Sequence, residues 1–334
     1  MSEPRIPLYA HPTTVAIIDD NDLFLQTLDL RMPADVACLL YHNPKQALSL
    51  LNQRPTLAPI ADRCVSATSV ESIRDSGIQL DAALIEEEIR SIERFRRISV
   101  VIVDYAMPAM KGLAFCDQIA HPAVKKILMT GASDERLAVS AFNDGRIDLF
   151  VPKGRANTLE LVAGGALDLQ REFFFDQQRA IQEALAIDPP PMLCEEVVAE
   201  YFTNLRSKHR FVEHYLVGDP PGFVLLTARG AQYRLLVLRD AEVTAQVEYA
   251  ARRGAPLDVV QAIATRNRIG FFVECAEAGP NEPYPWHDLL LEPTPLEGRQ
   301  KWWVALIEGG PASVDFDPSQ SSFQVYLEEL DAHV

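Results

Sequence analysis

Five side chains that could do chemistry together sit at the ends of four short apolar runs. The run "TTVAII" stops at Asp19 and Asp20, "SVVIV" at Asp104, "KKILM" at Thr130 and "IDLFVP" at Lys153. Runs without polar alternation are the pattern of strands buried on both faces, as in a parallel sheet. Open α/β sheets carry their functional groups at the C-terminal ends of the strands. The five side chains are therefore expected on one rim. Three carboxylates there repel one another unless a cation sits among them. Hard oxygen ligands of this kind suit Mg²⁺. A carboxylate beside such an ion can act as a nucleophile and accept a phosphoryl group. A hydroxyl and an ammonium opposite would stabilise the transferred charge.

The elements that must hold these groups alternate. A second strand is expected at "DVACLLYH". Helices are expected after Asp20 (through Leu23, Leu25, Leu28 and Leu30), at "NPKQALSLLNQ", at "GLAFCDQIA" and at "DERLAVSAFNDG". Pro44 suits the first turn of its helix. Strands alternating with helices predict a doubly wound, five-stranded parallel sheet covered on both faces. Residues 55–97 interrupt the alternation. Their second part reads as helical, with Leu80, Leu84, Ile85, Ile89, Ile92 and Phe95 near one face. This stretch is a helical insertion, either a partner surface or decoration.

A long helix follows over 156–187. Leu159, Val162, Ala166, Leu169 and Phe173 recur at three-four spacing. The stripe suits either a last helix packed on its own sheet or a homodimer seam. "DPPPM" at 188–192 ends it. Residues 193–334 read as a separate α+β domain. "CEEVVAEYFTNLRSKHRFVEHYL" reads as one helix, which makes His209 and His214 surface residues. "GFVLLTARGAQYRLLVLRD" reads as two strands around Gly230, and helices fit 241–253 and 257–267. "RIGFFVEC" and "KWWVALIEG" read as strands, and "SFQVYLEEL" as a closing helix.

Residues 249–270 have the outline of a helix-turn-helix, but Leu257, Val259, Val260 and Ile263 make its second helix a core element. His287–Asp288 lacks companions at metal-ligand spacing. Trp302 and Trp303, adjacent in a strand, face opposite sides; one is expected in the core and the other at an interface or pocket wall. No signature of an output enzyme is visible, whether cyclase, phosphodiesterase, histidine kinase or methylesterase.

The whole chain, 334 residues long, has 48% hydrophobic residues and a formal net charge of -16. That balance disfavours a generic nucleic-acid partner, which needs Lys and Arg to neutralise phosphates. The five cysteines form no CxxC pair, so neither a zinc site nor a disulfide framework is indicated. The first residues lack an apolar signal core, and no apolar run has the length of a membrane span. A cytoplasmic protein without membrane contact is expected.

Taken in order, "IIDDND", "VVIVDYAMPAMKG", "ILMTGAS" and "LFVPKG" resemble the receiver domain of two-component response regulators. The resemblance spans residues 13–165, with the insertion at about 55–97. It implies the flavodoxin-like sheet, strand order 2-1-3-4-5, with 193–334 as an output domain. By that resemblance Asp104 accepts a phosphoryl group from a histidine kinase or phosphotransfer protein. Mg²⁺ is held by Asp19, Asp20, Asp104 and the backbone carbonyl of Ala106. Thr130 and the Gly131 N–H bind the phosphoryl group, Lys153 pairs with it, and Phe150 is the aromatic that swings with Thr130. The output domain would then act on a partner protein; the alternatives are a DNA-binding transcriptional regulator, or an enzyme or small-molecule binder without a recognisable signature, and no activity is otherwise expected beyond self-phosphorylation and dephosphorylation of the receiver. The order "PKG" departs from the family, which carries its proline after the lysine.

Overall fold

The computed structural model describes residues 3–33, 36–53, 60, 63, 81–131, 134–185, 188–272, 284–309 and 314–332. Most of the 55–97 insertion therefore lies outside the described residues, as do Cys64 and Cys275. Two compact units result, and neither is contiguous. One comprises Met1–Ala10, Arg63–Arg90 and Gln182–Ser322; the other comprises His11–Asp62, Ser91–Ile181 and Phe323–Val334. The sequence reading divides the chain at single points, whereas these units share it in alternating pieces.

The first strand, β1 (Tyr9–Ala10), belongs to the former unit. The latter unit is built on β2 (Thr14–Ile18), α1 (Asp22–Asp29), β3 (Ala37–Tyr41) and α2 (Pro44–Leu51). The helix α3 (Ala82–Arg90) falls in the other unit. After it come α4 (Glu93–Arg96), β4 (Ile98–Asp104), α5 (Gly112–Asp117), β5 (Lys125–Thr130), α6 (Glu135–Asn143), β6 (Leu149–Pro152) and α7 (Thr158–Leu185). The five strands are parallel, in the order β3-β2-β4-β5-β6. That is the expected 2-1-3-4-5 order of a flavodoxin-like sheet.

Each element has a local cause. The Asn21 side chain accepts from the Phe24 N–H and caps α1; Asn43 caps α2, with Pro44 in the first turn. Val101, Val103 and Leu128 face α2 and α5, while Val100, Ile102, Ile127 and Met129 face the other way. The three-four stripe of α7 is consumed on this second face: Val162, Ala166 and Leu169 are buried in that core. Leu161 and Leu167 of the helix are exposed.

The other unit contains α8 (Pro191–Cys194), α9 (Glu196–His209), β7 (Phe211–Val217), β8 (Gly222–Thr227) and β9 (Gln232–Arg239). Then follow α10 (Asp240–Arg252), α11 (Leu257–Ala264), β10 (Ile269–Gly270), β11 (Leu290–Leu291), β12 (Thr294–Glu297), β13 (Lys301–Glu308) and α12 (Pro318–Ser321). Its main sheet is antiparallel, in the order β1-β7-β8-β9-β13-β12. The unit is α+β as expected, with several local corrections. The helix expected through Leu216 ends at His209, where Arg210 takes a left-handed φ of 55°. "FVEHYLV" then becomes a strand, because its β-branched and aromatic residues fill a sheet better than a surface helix. His214 is consequently buried. Its ring contacts the Pro7 carbonyl at 3.1 Å, and burial pushes its pKa down to about 3, so it stays neutral. "RIGFFVEC" yields only the short β10 within the described residues. Trp302 and Trp303 are both buried, so neither is an exposed anchor. The Trp303 indole N–H donates to Asp240, which also binds Arg266. Val259 and Ile263 of α11 lie in the core as expected and Val260 packs against it, but Leu257, at the first position of the helix, is exposed.

The closing helix, α13 (Phe323–Ala332), belongs to the parallel-sheet unit. Phe95, fully buried, lies 5.1 Å from the Phe323 ring and 5.9 Å from the Tyr326 ring. The Thr14 hydroxyl donates to the Phe95 carbonyl and sits 2.7 Å from the Tyr326 hydroxyl. Arg96 donates to Glu329 at 2.9 Å. These contacts hold α13 at the start of β2 and β4. Phe95→Ala should therefore destabilise the parallel-sheet unit by about 3–5 kcal/mol. Urea unfolding of the full chain, followed separately for the two units by hydrogen exchange, checks this: the loss should appear in the unit that contains α13.

Candidate functional site

The C-terminal ends of β2, β4, β5 and β6 meet at one rim. The register pairs Ile18 with Val103, Asp104 with Met129, and Thr130 with Pro152. Asp19 and Asp20 leave β2 there, Asp104 ends β4, Thr130 ends β5 and Lys153 follows β6. Ligand oxygens of Asp19, Asp20 and Asp104 lie within 4.8 Å of one another. Asp19 and Asp104 are buried, whereas Asp20 is exposed.

Lys153 connects the two buried carboxylates. Its Nζ lies 2.7 Å from Asp19 Oδ2 and 2.9 Å from Asp104 Oδ1. The backbone fixes that reach, since the Lys153 N–H donates to the Thr130 carbonyl at 2.8 Å. Pro152, one residue earlier, occupies an edge strand, where a missing N–H is tolerated. The ammonium also lies 4.6 Å from the centre of the Phe24 ring, an aromatic face able to hold a cation. Burial works against the Lys153 charge, but its bonds to Asp19 and Asp104 outweigh burial and raise its pKa.

Burial raises the Asp19 pKa. Lys153 and the Asn21 N–H pull the other way, and the Asp104 charge adds to the rise. One ammonium cannot balance three carboxylates, so the rim retains room for positive charge. The donor set fits a hard divalent cation: all oxygen, one group open to solvent, and two held rigidly. The Ala106 N–H donates to Asp104 Oδ2 at 3.2 Å, which fixes the second oxygen of that carboxylate.

Thr130 is fully buried, and its hydroxyl has no hydrogen-bond partner among the described residues. A buried orphan hydroxyl costs free energy unless a ligand or water satisfies it. Gly131 follows it at the strand end, and its carbonyl accepts from the Asp134 N–H. Phe150 is half-buried in β6 and meets Phe142 edge-on, with ring centres 6.2 Å apart.

Residues 60–162 match the sequence model of the response regulator receiver domain. The chain contains a response regulator receiver domain. The solved structure of the response regulator LqsR from Legionella pneumophila is similar over nearly its whole length. Identity is 29%, coverage is 99% of this chain and 98% of that one, and the TM-score is 0.78. Two further solved structures align with about half of this chain. One is described as an adenylate cyclase from Rhodopirellula baltica (16% identity, 52% and 98% coverage, TM-score 0.34). The other is the signal receiver domain of an HD domain-containing protein from Pseudomonas fluorescens (20% identity, 48% and 98% coverage, TM-score 0.31). No curated protein matches the chain. Among the described residues, no helix is long and apolar enough to cross a membrane.

Three residues of the receiver site escaped the motif reading. Phe24 and Asn21 act on Lys153 and Asp19 from the start of α1, and nothing in their spacing marks them. Gly112 carried a signal, the glycine closing "MPAMKG". A Cβ there would lie 2.4 Å from the Asp104 carbonyl oxygen and 2.9 Å from Leu128. Only glycine lets α5 start against the end of β4. Gly112→Ala should therefore cost roughly 1–3 kcal/mol, measurable by urea unfolding.

The raised Asp19 pKa also has a consequence for stability. A carboxyl with a folded pKa above its unfolded value favours the fold below its ordinary value of 3.8; that contribution is lost as pH rises through the folded pKa. At neutral pH the ionised Asp19 is a load on the receiver domain. Asp19→Asn should raise its thermal midpoint at pH 7, and the gain should shrink towards zero below pH 3.8. Parallel calorimetry at the two pH values checks the sign.

Proposed function

We propose that Asp104 is the phosphoacceptor of a two-component phosphorelay, fed by a histidine kinase or a phosphotransfer protein. The observation that carries this reading is the rim itself. Asp104 is buried at a strand end and bonded to Lys153, and the unsatisfied Thr130 hydroxyl terminates the adjacent strand. In the transfer, an Asp104 carboxylate oxygen attacks phosphorus. The bond from phosphorus to the donor nitrogen breaks, and an acyl phosphate forms. Lys153 holds the acceptor carboxylate in place and offers its ammonium to a phosphoryl oxygen. The Thr130 hydroxyl and the Gly131 N–H donate to the same group once it has arrived. Asp19, Asp20, Asp104 and the Ala106 carbonyl would hold Mg²⁺. When bound, the ion supplies positive charge to the carboxylates and to the incoming phosphoryl oxygens.

Movement of Thr130 towards the phosphoryl group would open space for Phe150, now against Phe142, to turn inward. That two-state element would pass the signal on to the antiparallel-sheet unit. We assign that unit an output role towards a partner protein. The chain's acidic balance and the burial of Val259 and Ile263 of α11 support this over a nucleic-acid reader. Self-association through α7 is the other route. It would have to use Leu161 and Leu167, since the three-four stripe is buried on its own sheet.

The test is labelling by acetyl phosphate, read as a mobility shift on phosphate-affinity gels. Wild type should label only with Mg²⁺ present, and Asp104→Asn should not label at all. Lys153→Ala should label more slowly by on the order of a hundredfold. Equal labelling of Asp104→Asn and wild type would overturn the assignment.

A further inference from the structure

The Lys153 ammonium carries three N–H donors, and only two have carboxylate partners, Asp19 and Asp104. No other polar group among the described residues bonds it. What meets it instead is the Phe24 ring, whose centre lies 4.6 Å from Nζ. That is within the range at which an aromatic face attracts a cation. The lysine side chain is 29% exposed, so carboxylates and ring leave water only part of it. A cation–π contact strengthens as water is excluded.

The ring is itself held in place. Phe24 lies in the first turn of α1, and its N–H donates to the Asn21 side chain at 3.2 Å. Its side chain is half-buried and packs against the core that contains Val15, Ile17 and Val151. A fixed ring gives the ammonium a fixed position.

Phosphoryl transfer changes what that ammonium must bind. In the structure it bonds Asp104 directly. Once an Asp104 oxygen carries phosphorus, the negative charge lies further out, on the phosphoryl oxygens. Lys153 then has to exchange Asp104 for one of them. Its backbone is tied, since the Lys153 N–H donates to the Thr130 carbonyl at 2.8 Å, so the side chain makes the exchange alone. A third hydrogen bond would prefer one donor direction and resist the change. An aromatic face attracts the charge without fixing the direction of any N–H.

We infer that Phe24 is a positioning residue for phosphoryl transfer: its ring holds the Lys153 ammonium at the rim while that group exchanges Asp104 for a phosphoryl oxygen. The inference rests on Asp104 being the phosphoacceptor. Phe24 acts through Lys153 and not on the phosphoryl group itself.

The test is a double-mutant cycle on labelling of the full chain by acetyl phosphate with Mg²⁺. Phe24→Leu keeps an apolar side chain but removes the aromatic face, and should slow labelling about three- to tenfold. Phe24→Tyr keeps the face and should label within about twofold of wild type. In a Lys153→Ala background, Phe24→Leu should have no further effect, because no ammonium is left to hold. A ring that merely supported the fold would slow both backgrounds alike. Three results overturn the inference: Phe24→Leu labels at the wild-type rate, Phe24→Tyr is as slow as Phe24→Leu, or Phe24→Leu slows the Lys153→Ala protein by the same factor. Wild type that does not label overturns the phosphoacceptor reading, and the role in transfer with it. Urea unfolding of wild type, the two single variants and the double variant judges the contact separately. The substitutions should be non-additive by about threefold in the unfolding constant, and additivity overturns the contact.

Discussion

The Lys153 ammonium, held between two buried carboxylates, is the interaction on which the receiver site depends. Asp19 and Asp104 leave adjacent strands, and each would be a costly buried charge by itself. Lys153 reaches both, at 2.7 and 2.9 Å, because its own N–H is tied to the Thr130 carbonyl. The bond therefore links three strand ends at once. It still leaves the rim short of positive charge. Burial raises the Asp19 pKa despite the lysine, so further positive charge at the rim would favour its ionised form.

The sheet supplies the rigidity that this arrangement needs. β4 is buried along nearly its whole length, and the two faces of its alternating residues are covered by different helices. A strand fixed in this way holds Asp104 to a defined position, and glycine at 112 lets α5 begin without displacing it. At the other end, Phe95, Thr14 and α13 lock the strand starts together. The closing helix α13 thus serves the parallel sheet, most of which comes early in the sequence, while β1, near the N-terminus, pairs with β7 of the other unit. Each unit includes a terminal piece that local sequence would assign elsewhere.

This sharing explains where sequence reasoning stopped. The receiver strands were legible because each is a continuous apolar run between turn signals, and because its last residue is chemically distinctive. The α7 stripe was legible as a stripe but not as to its partner, since a periodic face says only that something covers it. "FVEHYLV" was misread as helix because histidine and glutamate inside an apolar run look like a polar helix face. In the sheet both become buried, His214 against Pro7 and Glu213 bonded to Tyr215. Pro7 is distant in the chain, and Tyr215 shares a face with Glu213 only once the segment is extended as a strand.

The sequence by itself determined the receiver chemistry: residue types at strand ends are local facts, and the alternation of strands and helices forces those ends onto one rim. Only the tertiary structure decided what surrounds that chemistry. It placed Phe24 beside Lys153, left the Thr130 hydroxyl without a partner among the described residues, and buried both Trp302 and Trp303. It also set α13 beneath the sheet, at the opposite end from Asp104. These outcomes rest on contacts between residues tens to hundreds of positions apart. Such contacts follow from how complete hydrophobic faces are shared out among elements, and no short stretch of sequence encodes that division.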